Sequence, residues 1–172
     1  MGKSRKIIII SAVNFREGGP LTILKNLLEC INHSKFFDYN IVALVCDKNL
    51  FLEYGNIKFL EFPNIKNNWL NRIFFEYIRS YFISKRIRPY LWFSMHDITP
   101  NVIADKQIVY CHNPSPFYRL TIKDVFFDFK FSLFCLFYGY LYQINIRKNN
   151  FVIVQQNWIK NRFIKYVKSD KI

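Results

Sequence analysis

The chain is poor in acids, in glycine and in paired cysteines. Twelve Asp and Glu stand against 25 Lys and Arg, a formal net charge of +13. That balance favours an anionic partner: a phosphate-bearing substrate, an anionic lipid or a nucleic acid. The five glycines include the pair Gly18-Gly19 but nowhere spell the full dinucleotide-binding fingerprint. The four cysteines, Cys30, Cys46, Cys111 and Cys135, form no C-x-x-C pair. They fall at strand ends and in helical patterns. That reads as reduced, buried thiols in a cytoplasmic protein, and excludes a disulfide or zinc framework. No Ser-His-Asp constellation and no metal-spaced cluster is legible. The basic start Met1-Gly-Lys-Ser-Arg-Lys is followed only by Ile7 to Ile10, too short an apolar run for a secretory signal. No internal repeat, low-complexity linker or nucleic-acid-binding motif appears. Charge alone speaks for nucleic acid, and none is expected as a partner.

What is present is apolar and aromatic. Hydrophobic residues make up 51% of the chain and aromatics 19%, which excludes disorder. At 172 residues the chain holds one domain with a real core. Apolar β-branched runs at Lys6–Ser11, Tyr39–Cys46, Ile57–Phe62, Tyr90–Ser94, Gln107–Cys111 and Phe151–Gln155 predict strands. A helix predicted from Pro20 carries Leu21, Leu24, Leu27, Leu28 and Ile31 at helical spacing. Alternation of strands and helices predicts an α/β fold: a Rossmann-like parallel sheet flanked by helices.

Two loops at strand ends carry chemistry. Gly18-Gly19 lies between the first strand and the first helix, where backbone amides can approach a phosphate; an ordinary glycine turn is the alternative. The strand at Gln107–Cys111 ends at His112-Asn113-Pro114-Ser115-Pro116. Proline cannot continue a ladder, and each residue before a proline is pushed towards extended geometry. His112 is therefore held by a stiff loop at the carboxyl end of a strand, where open α/β sheets bind ligands. The alternative is a histidine that caps the strand by bonding to backbone. His96-Asp97 also ends a strand, and substrate contact is expected there rather than catalysis, since adjacent residues on an extended chain diverge.

Two helical segments bear on partners. Trp69–Arg86 predicts one long helix with Leu70, Ile73, Phe74, Tyr77, Ile78 and Tyr81 on its inner face. Arg72, Phe75, Arg79, Phe82 and Arg86 fall roughly opposite. Aromatics among arginines suit an anionic membrane surface; packing against a partner domain or a large core is the alternative. Thr121 and Asp124 predict a capping pair for a second long helix, running to about Arg147 and apolar around most of its girth. Its uninterrupted apolar run is short of the about 20 residues that span a bilayer. It is expected to be buried or to lie in the membrane interface.

Three segments in order resemble one family. Tyr110-Cys-His-Asn-Pro-Ser-Pro-Phe117 is similar to the His-centred loop of family-4 retaining glycosyltransferases, which have two Rossmann-like domains (the GT-B fold). The bacterial O-antigen and capsule enzymes are the nearest in kind. Ser11-Ala-Val-Asn-Phe-Arg-Glu-Gly-Gly-Pro20 resembles the family's glycine loop. Phe151-Val-Ile-Val-Gln-Gln-Asn-Trp-Ile-Lys160 resembles the strand and the "Gln-x-x-Trp" segment that opens a late helix. The resemblance covers residues 1–172 as the acceptor-side, amino-terminal domain, and implies truncation before the donor-binding domain. It implies transfer of a sugar from a nucleotide-sugar donor to a lipid-linked saccharide acceptor, without a metal or other cofactor. His112 would be catalytic; Asn14, Gly18, Gly19, His96 and Asn113 would bind substrate. It implies a peripheral position on the inner face of the cell membrane, with the donor domain missing or separately encoded. A non-catalytic acceptor-binding module working with such a separate domain is the alternative. Glu53 and Glu61 have the spacing of the family's donor-binding glutamates but lie in the wrong half of the fold, and are read as coincidence.

Overall fold

The computed structural model describes residues 5–33, 38–65 and 68–172. The basic start at residues 1–4 lies outside them. Six strands form one sheet: β1 (Lys6–Ala12), β2 (Tyr39–Val45), β3 (Lys58–Glu61), β4 (Leu91–Ser94), β5 (Lys106–Cys111) and β6 (Phe151–Val154). Every neighbouring pair is parallel, in the order β3-β2-β1-β4-β5-β6. This is the expected α/β, Rossmann-like architecture. The β-branched run of β1 feeds both faces, as a central parallel strand must. Ile10 and Ala12 join one core; Ile9 and Val13 join the other.

Helices cover these faces. α1 (Gly18–His33) lays Leu24 and Leu28 on the first. On the second lies a rod of α2 (Trp69–Phe74), a π segment (Phe75–Arg79) and α3 (Ser80–Ile87). Phe75 anchors the rod among Ile9, Leu44 and Trp92. Beyond β5 come α4 (Ile122–Phe127), α5 (Phe129–Gln143) and, after β6, α6 (Asn157–Phe163). Tyr138, Leu141 and Tyr142 of α5 and Ile159 and Phe163 of α6 close a third core around Val109 and Val152.

The structure corrects three expectations. The rod buries Phe75, Glu76, Ser80 and Ser84, while Leu70, Phe74, Ile78 and Phe82 are exposed. Part of the reason is the π turn, which closes i to i+5 and shifts the phase of everything beyond it. The rest is that two of the inward polar groups meet partners in the fold: Ser84 Oγ accepts the Ile103 amide at 2.9 Å, and Glu76 lies within ion-pair reach of His96, while the buried Ser80 hydroxyl has no hydrogen-bond partner among the described residues. The long helix expected from Thr121 is broken at Asp128, which leaves helical geometry (φ −144°) and caps α5 by accepting from the Phe131 amide at 2.8 Å. Cys30 is exposed, whereas the other three cysteines are buried.

Strand order reverses between β1 and β4. The chain leaves β1 towards α1 on one face, and the α2–α3 rod brings it back to β4 along the other. A crevice opens at such a point along the carboxyl edge of a parallel sheet. The loops after β1, β4 and β5 meet there.

Candidate functional site

The loop after β5 behaves as its prolines dictate. The strand stops at Cys111, and Ser115–Phe117 closes a 3-10 turn. Asn113 Oδ1 accepts the Ser115 amide at 3.0 Å, an Asx turn. The His112 side chain keeps 20% of its surface exposed. Its ring stacks on Tyr110 (centroids 5.3 Å apart, planes at 22°) and meets Phe15 edge-on at 5.7 Å. Phe15 belongs to the loop after β1, so the two loops are in direct contact.

Behind His112 stands Asp97. Its Oδ1 accepts the backbone amides of His112 at 2.7 Å and Asn113 at 3.1 Å. His112 Nδ1 lies 3.3 Å from the same oxygen, within ion-pair reach though not aligned as a hydrogen bond. The Tyr142 hydroxyl is 2.8 Å from that oxygen and 2.9 Å from the Asn113 carbonyl, so its single proton is shared between two acceptors. Burial, and then the Asp97 charge, push the Tyr142 phenol far above its ordinary pKa. It therefore remains a donor. Asp97 sits at φ 70°, a left-handed conformation that Asp tolerates better than most residues. Its own amide donates to the Tyr110 carbonyl at 3.0 Å.

His96 points the other way; the chain bends here, with Asp97 left-handed and the Ile98 amide donating to the His96 carbonyl at 2.8 Å. Its Nε2 is 3.2 Å from Ser11 Oγ and its Nδ1 is 3.0 Å from Glu76 Oε1. That is the connectivity of a hydrolase triad, assembled from β1, the loop after β4 and the π segment. The side chains of His96 and Glu76 are 1% and 0% exposed, and Ser11 is 0% exposed. No substrate reaches the serine oxygen, so the three form a structural tie. The His96 ring is buried in the core, with Nε2 turned to Ser11 and Nδ1 within ion-pair reach of Glu76 though not aligned as a hydrogen bond, which leaves no surface for the substrate contact expected of it.

Arg72 is the cation of the crevice. It donates through Nη2 to the His96 carbonyl at 2.7 Å. The Asn14 amide that satisfies both groups turns its oxygen to the guanidinium, accepting from Nε at 2.7 Å. The guanidinium lies over the rings of Trp69 (5.5 Å) and Tyr138 (5.4 Å). Asn14, Ile65, Asn68, Trp69 and Arg72 line a recess of about 180 Å³. The expected membrane face of Arg72, Phe75, Arg79, Phe82 and Arg86 is thus not one surface. Arg72 serves the crevice and Phe75 is fully buried, while Arg79, Phe82 and Arg86 are exposed.

Of the substrate-binding candidates, Asn14 and Asn113 flank the crevice in the loops after β1 and β5. Gly18 and Gly19 are exposed at the start of α1, where a Cβ would meet nothing within 4 Å. Gly18 needs its glycine for φ +67°. Sequence reading missed Asp97 and Tyr142 as partners of the His112 loop, and misplaced Arg72. An Asp at the carboxyl end of the strand beside the histidine's own was the one signal available for Asp97. Among the described residues no group of three His, Cys, Asp or Glu side chains is placed to hold a metal ion. No family model, no curated protein and no solved structure matches the chain.

Proposed function

We propose that this chain is the acceptor-side domain of a retaining glycosyltransferase. It moves a sugar from a nucleotide-sugar donor to a saccharide acceptor, lipid-linked and destined for cell-surface polysaccharide. One observation carries the reading. The two loops that resemble the family's glycine and His loops follow β1 and β5, yet touch at the switch point of the sheet through Phe15 and His112, which are 97 residues apart in the chain.

In the reaction the bond from the sugar's anomeric carbon to the donor phosphate breaks, and a bond to an acceptor hydroxyl forms on the same face. The nucleotide leaves with its phosphates, and the acceptor hydroxyl gives up its proton. His112 faces the transferred sugar with the ring edge that Asp97 does not cover. Asp97 and Tyr142 hold that ring and its loop in place. Arg72, fixed by Asn14 and two aromatic rings, supplies positive charge where phosphate charge builds up on the leaving group. A donor-binding domain, in the same or a separate chain, faces this edge. No metal enters the scheme.

The test is His112→Ala, assayed with a donor-binding domain supplied by fusion or in trans. Transfer is expected to fall by about 100- to 1,000-fold, the range for losing one stabilising group at a reaction centre. Circular dichroism should be unchanged. Full transfer by the folded variant would reduce His112 to a strand cap.

A further inference from the structure

We propose that the cations around the end of α6 form a binding site for a soluble oligophosphate, a short chain of linked phosphates, on the sheet edge opposite the crevice. This inference rests on the placement of charge and not on the glycosyltransferase reading.

The charge of the chain is concentrated. Residues 143–172 hold seven Lys and Arg against a single acid, Asp170, a net of +6 out of the chain's +13. The fold gathers four of these cations. Arg147 precedes β6, at the amino edge of the sheet. α6 begins beyond the carboxyl end of β6 and runs back, so the residues after it return to that same amino edge. Two contacts mark the return: Lys171 Nζ donates to the Asn149 carbonyl at 3.2 Å, and Arg147 Nε donates to the Tyr166 carbonyl at 3.3 Å. Arg147, Lys165, Lys168 and Lys171 line a recess of about 510 Å³, together with Ile164 and Tyr166. Lys148 and Lys160 are turned elsewhere, to Asn101 Oδ1 at 3.4 Å and to the Ile172 carbonyl at 3.0 Å. The His112 crevice lies at the carboxyl edge, so this recess is a second site.

Charge and shape together identify the occupant. Among the described residues none of the four cations forms an ion pair with a carboxylate, and exposed Asp170 pairs with none of them. Four like charges around one concavity repel one another and focus their field inside it. An anion of several charges relieves that repulsion better than a single phosphate does. The backbone contacts fix Arg147 and Lys171 yet leave the outer guanidinium nitrogens and further ammonium hydrogens for phosphate oxygens. The volume of the recess falls within the about 300–1,000 Å³ of small-molecule sites. A lipid surface calls for apolar rings projecting among the cations, whereas Ile164 is the one exposed large apolar side chain lining the recess. A nucleic acid calls for a track of cations with stacking platforms along it. Here the cations close around one recess with one half-buried ring, that of Tyr166.

The experiment is calorimetric titration of the full chain with inorganic tripolyphosphate at low salt, with orthophosphate as the single-phosphate comparison. The parent is expected to bind tripolyphosphate at least about tenfold more tightly than orthophosphate, and to lose affinity as salt rises. Lys165→Glu/Lys168→Glu should weaken tripolyphosphate binding by at least about tenfold. Both side chains are exposed, and circular dichroism checks that the variant is folded. Lys123→Glu/Lys130→Glu, on α4 and α5, makes the same change in net charge and should bind like the parent. A second measurement needs no variant: saturating tripolyphosphate should raise the parent's Tm. A parent that tripolyphosphate neither binds nor stabilises overturns the proposal. So does equal weakening in the two variants, which would assign the attraction to net charge alone. So does displacement of tripolyphosphate by single-stranded RNA or by phosphatidylglycerol vesicles at a lower phosphate concentration, which would give the recess to that larger polyanion.

Discussion

Asp97 is the residue on which the candidate site turns. One buried oxygen takes two backbone amides and a share of a tyrosine proton, with His112 Nδ1 at contact distance. Asp97→Ala strands those donors, and the cost should be about 3 kcal/mol, read as a lower urea midpoint at constant slope. Asp97→Asn keeps one acceptor and tolerates the left-handed backbone, so it should lose less. A loss within about 0.5 kcal/mol for Asp97→Ala would show that the loop holds itself. Tyr142 gives a pH signature. Its raised folded pKa means that its contribution is complete below the unfolded value of about 10, and is lost as pH rises above that. Burial raises Tyr77 and Tyr138 in the same direction. Stability to urea should therefore fall above about pH 10. Tyr142→Phe should lose about 1 kcal/mol at neutral pH and decline less steeply in alkali. An unchanged alkaline slope would remove Tyr142 as a cause.

At the scale of elements, α4 is held by its cap. Thr121 Oγ accepts the Asp124 amide at 3.3 Å, while the Asp124 carboxylate takes the Thr121 amide and hydroxyl at 2.8 and 2.6 Å. The hydroxyl and then the backbone bond hold the Asp124 carboxyl below its ordinary value. A depressed folded pKa contributes above the unfolded value and is lost as pH falls through the folded one. The protection of α4 amides, their exchange relative to the intrinsic rate at the same pH, should therefore fall in acid. Thr121→Ala should lower it already at neutral pH, by an amount equal to about 1 kcal/mol of local stability. Unaltered exchange in the variant would mean that packing against α5, not the cap, holds α4. The rod makes the converse point. Its apolar periodicity named the wrong inner face, because Arg72, Glu76 and Ser84 turn inward to partners elsewhere in the chain.

For the whole molecule, the exposed apolar surface includes an open edge. β6 ends the sheet, and Phe151 and Ile153 are half exposed on it. An uncovered edge strand of this kind invites pairing with another chain. Phe151→Lys/Ile153→Lys should raise the concentration at which light scattering appears. It should leave unfolding by urea within about 0.5 kcal/mol, since neither side chain closes a core. Scattering at the parent's concentration would place self-association on another surface.

The strands, their parallel arrangement, α1 and the Thr121–Asp124 cap were all legible in the sequence. Each rests on local terms: β-branched runs, helical spacing, and a threonine three residues before an aspartate. The proline-held loop was legible for the same reason, since proline restricts its own backbone and its neighbour's. Tertiary structure alone decided which polar groups meet. Ser11 and His96 are 85 residues apart, Asp97 and Tyr142 are 45, and Arg72 reaches a carbonyl 24 residues on. Such contacts leave no periodic trace in the chain, because each joins one residue to one other across strands that become neighbours only when the sheet forms. The fold therefore turned Arg72 into the crevice and Phe75 into the core, and left the outer faces of the rod, α4 and α5 uncovered.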